Sequence, residues 1–193
     1  MAKKTVITGG PGTGKTALIE ELERRGHYCF HEFIREMTLD AKKKEVQALT
    51  NPLTFVEDPL TFNRMLLQAR IGQFEDAIKL QLTPVFFDRG IPDVLAYMDY
   101  FGQAYDSEFT GPCNEYKYDT VIVLPPWKAI YRRDNERMES FEEACEIHDC
   151  LERTYRSFGY DVKSIQFGTI EDRVNQVLEI LARNDEKDSG RSS

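Results

Sequence analysis

The sequence predicts an α/β fold: a mainly parallel, five-stranded sheet with helices on both faces. Three observations predict it. Five short apolar or β-branched segments, at 4–8, 27–31, 84–87, 120–124 and 162–167, alternate with stretches of helical period. Strands separated by helices pair in parallel through right-handed crossovers. A glycine-rich turn, residues 9–14, joins the first strand directly to the first helix.

Lys4-Thr5-Val6-Ile7-Thr8 is apolar at its centre and β-branched, as a buried strand requires. The next helix runs from Ala17 to Arg25, with Gly26 where a C′ glycine belongs. A second short strand covers 27–31. Residues 35–58 carry no clear period; Lys42-Lys43-Lys44 reads as the solvated face of a short helix and Asn51-Pro52 as a turn. Asp58 fits an N-cap with Pro59 at the first helical position. Phe62, Met65, Leu66, Ala69, Phe74, Ala77 and Ile78 then predict a helix of about 20 residues. The strand at 84–87 ends at Asp88-Arg89-Gly90, and Pro92 opens a helix through Tyr97. The strand at 120–124 is halted by Pro125-Pro126.

Ser140 and Glu143 make a capping box for a helix whose stripe is Phe141, Ala144, Cys145, His148, Leu151, Tyr155 and Phe158, with Gly159 as its stop. His148 reads as a packed or half-exposed member of that stripe rather than a ligand. Thr169 caps a last helix with apolar positions at Ile170, Val174, Val177, Leu178 and Leu181. Residues 1–183 thus form one domain, and 184–193, which lack apolar residues, a disordered tail.

The chain has 193 residues, with 25 Lys and Arg against 33 Asp and Glu, a formal charge of -8. That balance argues against nonspecific nucleic-acid binding, which needs a basic face to displace counterions, and a DNA-processing ATPase is disfavoured on the same ground. It leaves room for a small anionic ligand held by backbone N–H groups and a few cations. No apolar run of about 18 residues occurs, so no transmembrane helix is expected. The four cysteines form no C-x-x-C pair, and a reducing, cytoplasmic setting is expected. A homodimer remains open.

Ligands of open parallel sheets bind beyond the carboxyl ends of the strands. Three strands deliver polar groups there: the glycine turn after Thr8, Glu32, and Asp88-Arg89. Gly9-Gly10-Pro11-Gly12-Thr13-Gly14-Lys15-Thr16 matches G-x-x-x-x-G-K-[ST], the Walker A phosphate-binding loop. Its glycines let successive N–H groups converge on one phosphate, and the following helix adds its unpaired N–H groups and positive dipole end. Lys15 is expected to reach the β- and γ-phosphates and the Thr16 hydroxyl to bind Mg²⁺. Residues 84–88 have the Walker B form, an apolar strand ending in a carboxylate, which makes Asp88 the second expected Mg²⁺ residue; the alternative is a turn-capping Asp. No N-K-x-D guanine motif occurs, which favours ATP.

These pieces resemble the small-molecule kinase branch of P-loop NTPases, where an acidic residue plus Arg ends the Walker B strand. The resemblance extends to an AAA-domain subfamily related to the ribosylnicotinamide kinase domain of the bacterial NAD-biosynthesis regulator. It is carried by the P-loop, by Glu32-Phe33-Ile34-Arg35-Glu36, by the long helix, and by the segment from Phe87-Asp88-Arg89-Gly90 through Asp93 to Tyr97. It implies a three-layer α/β/α sandwich, nucleotide-kinase-like, with a helical lid at about 126–140. The segment after Asp88 differs in composition from that of nicotinamide riboside kinases, so their substrate does not transfer.

The resemblance also implies roles. Glu32 faces the acceptor hydroxyl as base or orienting acceptor, or else is a surface loop residue. Arg35 binds an acceptor phosphate or pairs with Glu36. Arg89 holds the acceptor or the transferring phosphoryl group, or forms a structural ion pair. Asp93 and Tyr97 line the acceptor pocket, with Asp93 equally placed to complement the helix dipole. The arginines of Tyr131-Arg132-Arg133-Asp134-Asn135-Glu136-Arg137 fit a lid that clamps the γ-phosphate, with Arg132 and Arg137 as the chosen pair; the alternative is a solvated helix face. Trp127 either stacks on a base or anchors packing, and fold analogy puts the adenine near Phe167-Gly168-Thr169. Two functions compete. One is an ATP- and Mg²⁺-dependent kinase of a small metabolite; the other is a regulatory switch with slow hydrolysis.

Overall fold

The computed structural model describes residues 3–32, 58–80, 82–131 and 139–190. Arg35, Arg132, Arg137, the Lys42-Lys43-Lys44 helix and the Asn51-Pro52 turn lie outside them, as do residues 132–138 of the expected lid. The described elements are β1 (Lys4–Thr8), α1 (Lys15–Arg24), β2 (Tyr28–Phe30), α2 (Pro59–Lys79), β3 (Val85–Asp88), α3 (Pro92–Tyr100), α4 (Ser107–Glu115), β4 (Thr120–Val123), α5 (Phe141–Ser157), β5 (Lys163–Ser164) and α6 (Ile170–Gly190). The sheet order is β2-β3-β1-β4-β5, and every pair is parallel.

Successive strand residues point to opposite faces, and here both faces are apolar, so the central strands are buried on both sides. Val6, Phe87, Val121 and Val123 face one layer, built from α2, α3, α4 and Tyr155 of α5. Ile7, Phe86 and Ile122 face the other, built from Leu18, Ile19 and Leu22 of α1 and Val174, Val177 and Leu181 of α6. The chain leaves β1 toward α1 on the second face and leaves β3 toward α3 on the first. Because β1 and β3 are neighbours, the crevice between their carboxyl ends is the topological switch point where such folds bind ligands.

The local start signals act as expected. The Asp58 carboxylate accepts from Leu60 N and Thr61 N at 3.1 and 3.2 Å, with Pro59 opening α2. Both bonds of the Ser140–Glu143 capping box are present. Thr169 and Asp172 exchange reciprocal bonds of 3.1 Å at the start of α6.

Four expectations need correction. The edge strands are shorter than 27–31 and 162–167. Val162 and Ile165 are buried, yet only Lys163 and Ser164 pair with β4, because apolarity reports burial and not pairing. Helix α4 is absent from the sequence reading, which leaves 101–119 unassigned; Asp106 caps it, accepting from Glu108 N at 2.9 Å, and Pro112 lies inside. The buried face of α5 is Ala144, Ile147, Cys150, Leu151, Thr154 and Tyr155, so the expected stripe omits Ile147, while His148 is half-buried beside it. Finally, α6 runs through 184–190, the stretch expected to be a disordered tail. Asn184 Nδ2 donates to Thr120 Oγ1 at 3.1 Å, which carries the helix past its last apolar turn.

Candidate active site

The phosphate loop leaves β1 at Thr8 and enters α1 at Lys15. Two glycines show why no side chain is tolerated. Gly12 has φ +71°, and a Cβ there would lie 2.5 Å from the Tyr131 ring. A Cβ on Gly10 would lie 2.6 Å from the Ala144 carbonyl oxygen of α5. The Thr13 hydroxyl donates to Gly10 O at 3.0 Å, closing the loop on itself. Pro11 sits at its half-exposed outer rim. Lys15 Nζ donates to Gly9 O at 2.8 Å and Gly10 O at 3.3 Å, so its ammonium is held at the loop's centre. Burial, then the charge of Arg89, lowers the Lys15 ammonium to about 8; Asp88, Glu32 and Asp93 offset part of this.

Asp88 closes β3 beside Ile7, and it is buried. Arg89 follows in the left-handed region, φ +76°, while its N–H donates to Ile7 O at 3.0 Å and so extends the ladder by one bond. This turn swings the guanidinium across the sheet end. Arg89 Nε donates to Glu32 Oε1 at 2.6 Å, and Nη1 reaches Asp93 Oδ1 at 3.3 Å and Gly9 O at 3.5 Å. The guanidinium lies over the Tyr97 ring, 5.2 Å from its centroid. Burial alone would raise the Glu32 carboxyl; the pull of Arg89, then Lys15 and Arg70, outweighs it and brings the group down to about 2. The same acids hold Arg89 charged against burial.

Asp93 faces the interior. It is fully buried, and its oxygens take donors from Thr8 Oγ1, Tyr155 OH, Gly90 N and Arg89. It therefore anchors the turn that carries Arg89 and does not open onto the cleft. Tyr97 is half-buried against Arg89. Trp127 stacks on Phe167 with ring centroids 5.0 Å apart and planes at 17°, the packing alternative of its two readings.

The sequence model of a family described as an AAA domain matches residues 4–173. The chain belongs to that family. No curated protein sequence matches it. Among solved structures, deoxyadenosine kinase from M. mycoides with dCMP bound aligns at 17% identity and TM-score 0.64, over 93% of this chain and 99% of that one. Thymidylate kinase from Candida albicans aligns at 16% identity and TM-score 0.67, over 95% and 92%. NadR in complex with NR aligns at 18% identity and TM-score 0.69, over 95% of this chain and 50% of NadR. This AAA-domain chain thus has a P-loop kinase-like fold, as the motif resemblance implies.

Two arginines of the site escape the sequence reading. Arg70 of α2 is buried and donates from Nη1 to Gly90 O at 3.0 Å, bracing the same turn as Asp93. Its signal was available: Arg70 stands four residues from both Leu66 and Phe74, on the apolar stripe, where a cation needs a reason. Arg173 of α6 is buried and donates from Nη2 to Thr13 O at 2.8 Å. Thr16 at the start of α1 and Asp88 at the end of β3 carry oxygen donors, the type Mg²⁺ takes, and are the residues that would hold it. Among the described residues no group of three or more His, Cys, Asp or Glu is arranged around a metal position, so such an ion would complete its shell with phosphate and water. No described helix is long and apolar enough to cross a membrane, and all four cysteines are free thiols.

Proposed function

We propose that this protein is an ATP- and Mg²⁺-dependent kinase that transfers the γ-phosphoryl group to a hydroxyl of a small metabolite, nucleoside-like in size, in the cytoplasm. One observation carries the reading: a single guanidinium, Arg89, joins the Glu32 carboxylate at the end of β2 to Gly9 of the phosphate loop. The pair holds Glu32 ionised at the carboxyl end of the sheet, where ligands of such folds bind.

In this reading the loop amides and Lys15 hold the β- and γ-phosphates, and Thr16 and Asp88 hold Mg²⁺, which neutralises charge on the phosphate oxygens. Glu32, kept anionic, accepts the hydrogen bond of the acceptor hydroxyl and orients it in line with the phosphorus. Arg89, bonded to Glu32 and reaching Gly9 O, lies between the acceptor side and the phosphate loop. Tyr97 shapes the acceptor side. Arg35, Arg132 and Arg137 remain part of the proposal as acceptor and lid cations. The test is an ADP-release assay with purified protein against a panel of nucleosides, vitamins and sugars. Turnover stimulated by one acceptor class supports the kinase; slow turnover that no acceptor changes supports the regulatory switch instead.

A further inference from the structure

Arg173 has an electrostatic problem that the protein does not solve. Its side chain is 2% exposed. Nη2 is used by Thr13 O at 2.8 Å, but Nη1 is buried with no hydrogen-bond partner. A Cβ placed on Gly14 would lie 2.7 Å from that nitrogen and 3.3 Å from Ile130 Cδ1, so the orphaned donor stands against the phosphate loop at the residue that caps α1. No described carboxylate pairs with it. Asp172, its neighbour in sequence, is taken by Thr169. Burial lowers the Arg173 guanidinium, and no acid acts in the other direction.

Its position makes matters worse. Arg173 lies in the first turn of α6 and beside the N-terminus of α1, the positive ends of two helix dipoles, with Lys15 one residue beyond Gly14. A buried cation among like charges is strongly destabilising unless an anion neutralises it. Lys15 and Arg89, by contrast, have carboxylates acting on them.

We propose that Arg173 belongs to the phosphate-binding machinery, and that its unneutralised charge is completed by the polyphosphate chain of the bound nucleotide. Arg173 braces the Thr13–Gly14 backbone from behind and adds a fixed positive charge to the field that the loop amides present. Phosphate binding then relieves a strain built into the folded protein, and the charge acts on affinity for phosphate rather than for the base. This rests on the reading that the loop holds a nucleoside triphosphate.

The experiment is calorimetric titration of wild type, R173M and R173K with MgATP, tripolyphosphate and adenosine, beside thermal melts. In folded R173M, MgATP and tripolyphosphate affinities should each fall roughly ten- to a hundredfold, the span of one little-screened charge acting on phosphate through the loop, with adenosine unchanged. R173K should stay within about fivefold of wild type for tripolyphosphate. If R173M does not fold, R173K decides: a folded R173K that loses tenfold or more overturns the proposal. Wild-type tripolyphosphate affinity in R173M overturns it, as do equal losses for adenosine and MgATP. If wild type binds neither MgATP nor tripolyphosphate, the nucleotide reading fails and this proposal with it. Wild-type binding matched by R173M sinks this proposal alone.

Discussion

Arg89 donates to Glu32 across the ends of β3 and β2, at 2.6 Å, from a left-handed backbone that Arg rarely adopts. The backbone cost is about 1 kcal/mol. Glycine would relieve it, but removing one partner of a buried ion pair costs about 3–5 kcal/mol. The second effect wins, so R89G should be less stable than wild type despite its easier turn. Chemical denaturation of the two proteins at pH 7 checks this; an R89G midpoint at or above wild type would mean that the pair contributes nothing.

Glu32 has a folded-state value near 2 against an ordinary 4.5. A depressed carboxyl stabilises the fold above its unfolded value, and that stabilisation disappears as pH falls from 4.5 through 2. The shift corresponds to roughly 3 kcal/mol at neutral pH. E32Q should therefore lose on the order of 1–3 kcal/mol at pH 7 and show a flatter acid limb. As the orienting acceptor, it should also lose roughly 10²-fold or more in kcat while MgATP affinity stays within a few fold. Denaturation curves from pH 2 to 7, with kinetics on the acceptor found above, separate the two roles.

Lys15 behaves with the opposite sign. Its ammonium is lowered from 10.5 to about 8. The unfolded chain binds the extra proton between those values, so this group makes stability rise with pH from 8 to 10.5, and its charged form is a burden below 8. K15M should melt at or above the wild-type temperature at pH 7, and that advantage should vanish by about pH 10.5. MgATP affinity should nevertheless fall at least about tenfold, since the charge is aimed at phosphate. Melting curves at pH 7 and 10.5, beside nucleotide titration, give both numbers.

Tyr155 reaches the site through Asp93, donating to its Oδ2 from α5. Y155F leaves the ring packing but removes a buried donor, a loss of about 1–3 kcal/mol. Because Asp93 also holds Gly90 N and Arg89, kcat should fall several-fold while the KM for ATP stays near wild type. An unchanged kcat in a destabilised Y155F would confine Asp93 to folding alone.

Recognition from sequence succeeded where the deciding interactions are short in range. The eight residues from Gly9 to Thr16 carry their meaning in their own backbone, Asp58 and Ser140 cap helices two or three residues away, and alternating periods dictated a parallel sheet. Helix α4, with Pro112 inside it, and the polar end of α6 carry little local signal; burial of Phe109 and Cys113 and the Asn184–Thr120 hydrogen bond are long-range.

Amino-acid order therefore established the fold class, the phosphate loop and the carboxyl-end position of Glu32, Asp88 and Arg89. Tertiary structure alone decided which polar groups meet: Arg89 with Glu32 at 57 residues' separation, Arg173 with the Thr13 carbonyl at 160, and Asp93 turned inward rather than toward the cleft. The reason is physical. Ionic partners are selected by which helix faces converge after burial of the apolar stripes, and nothing in local propensity encodes that convergence.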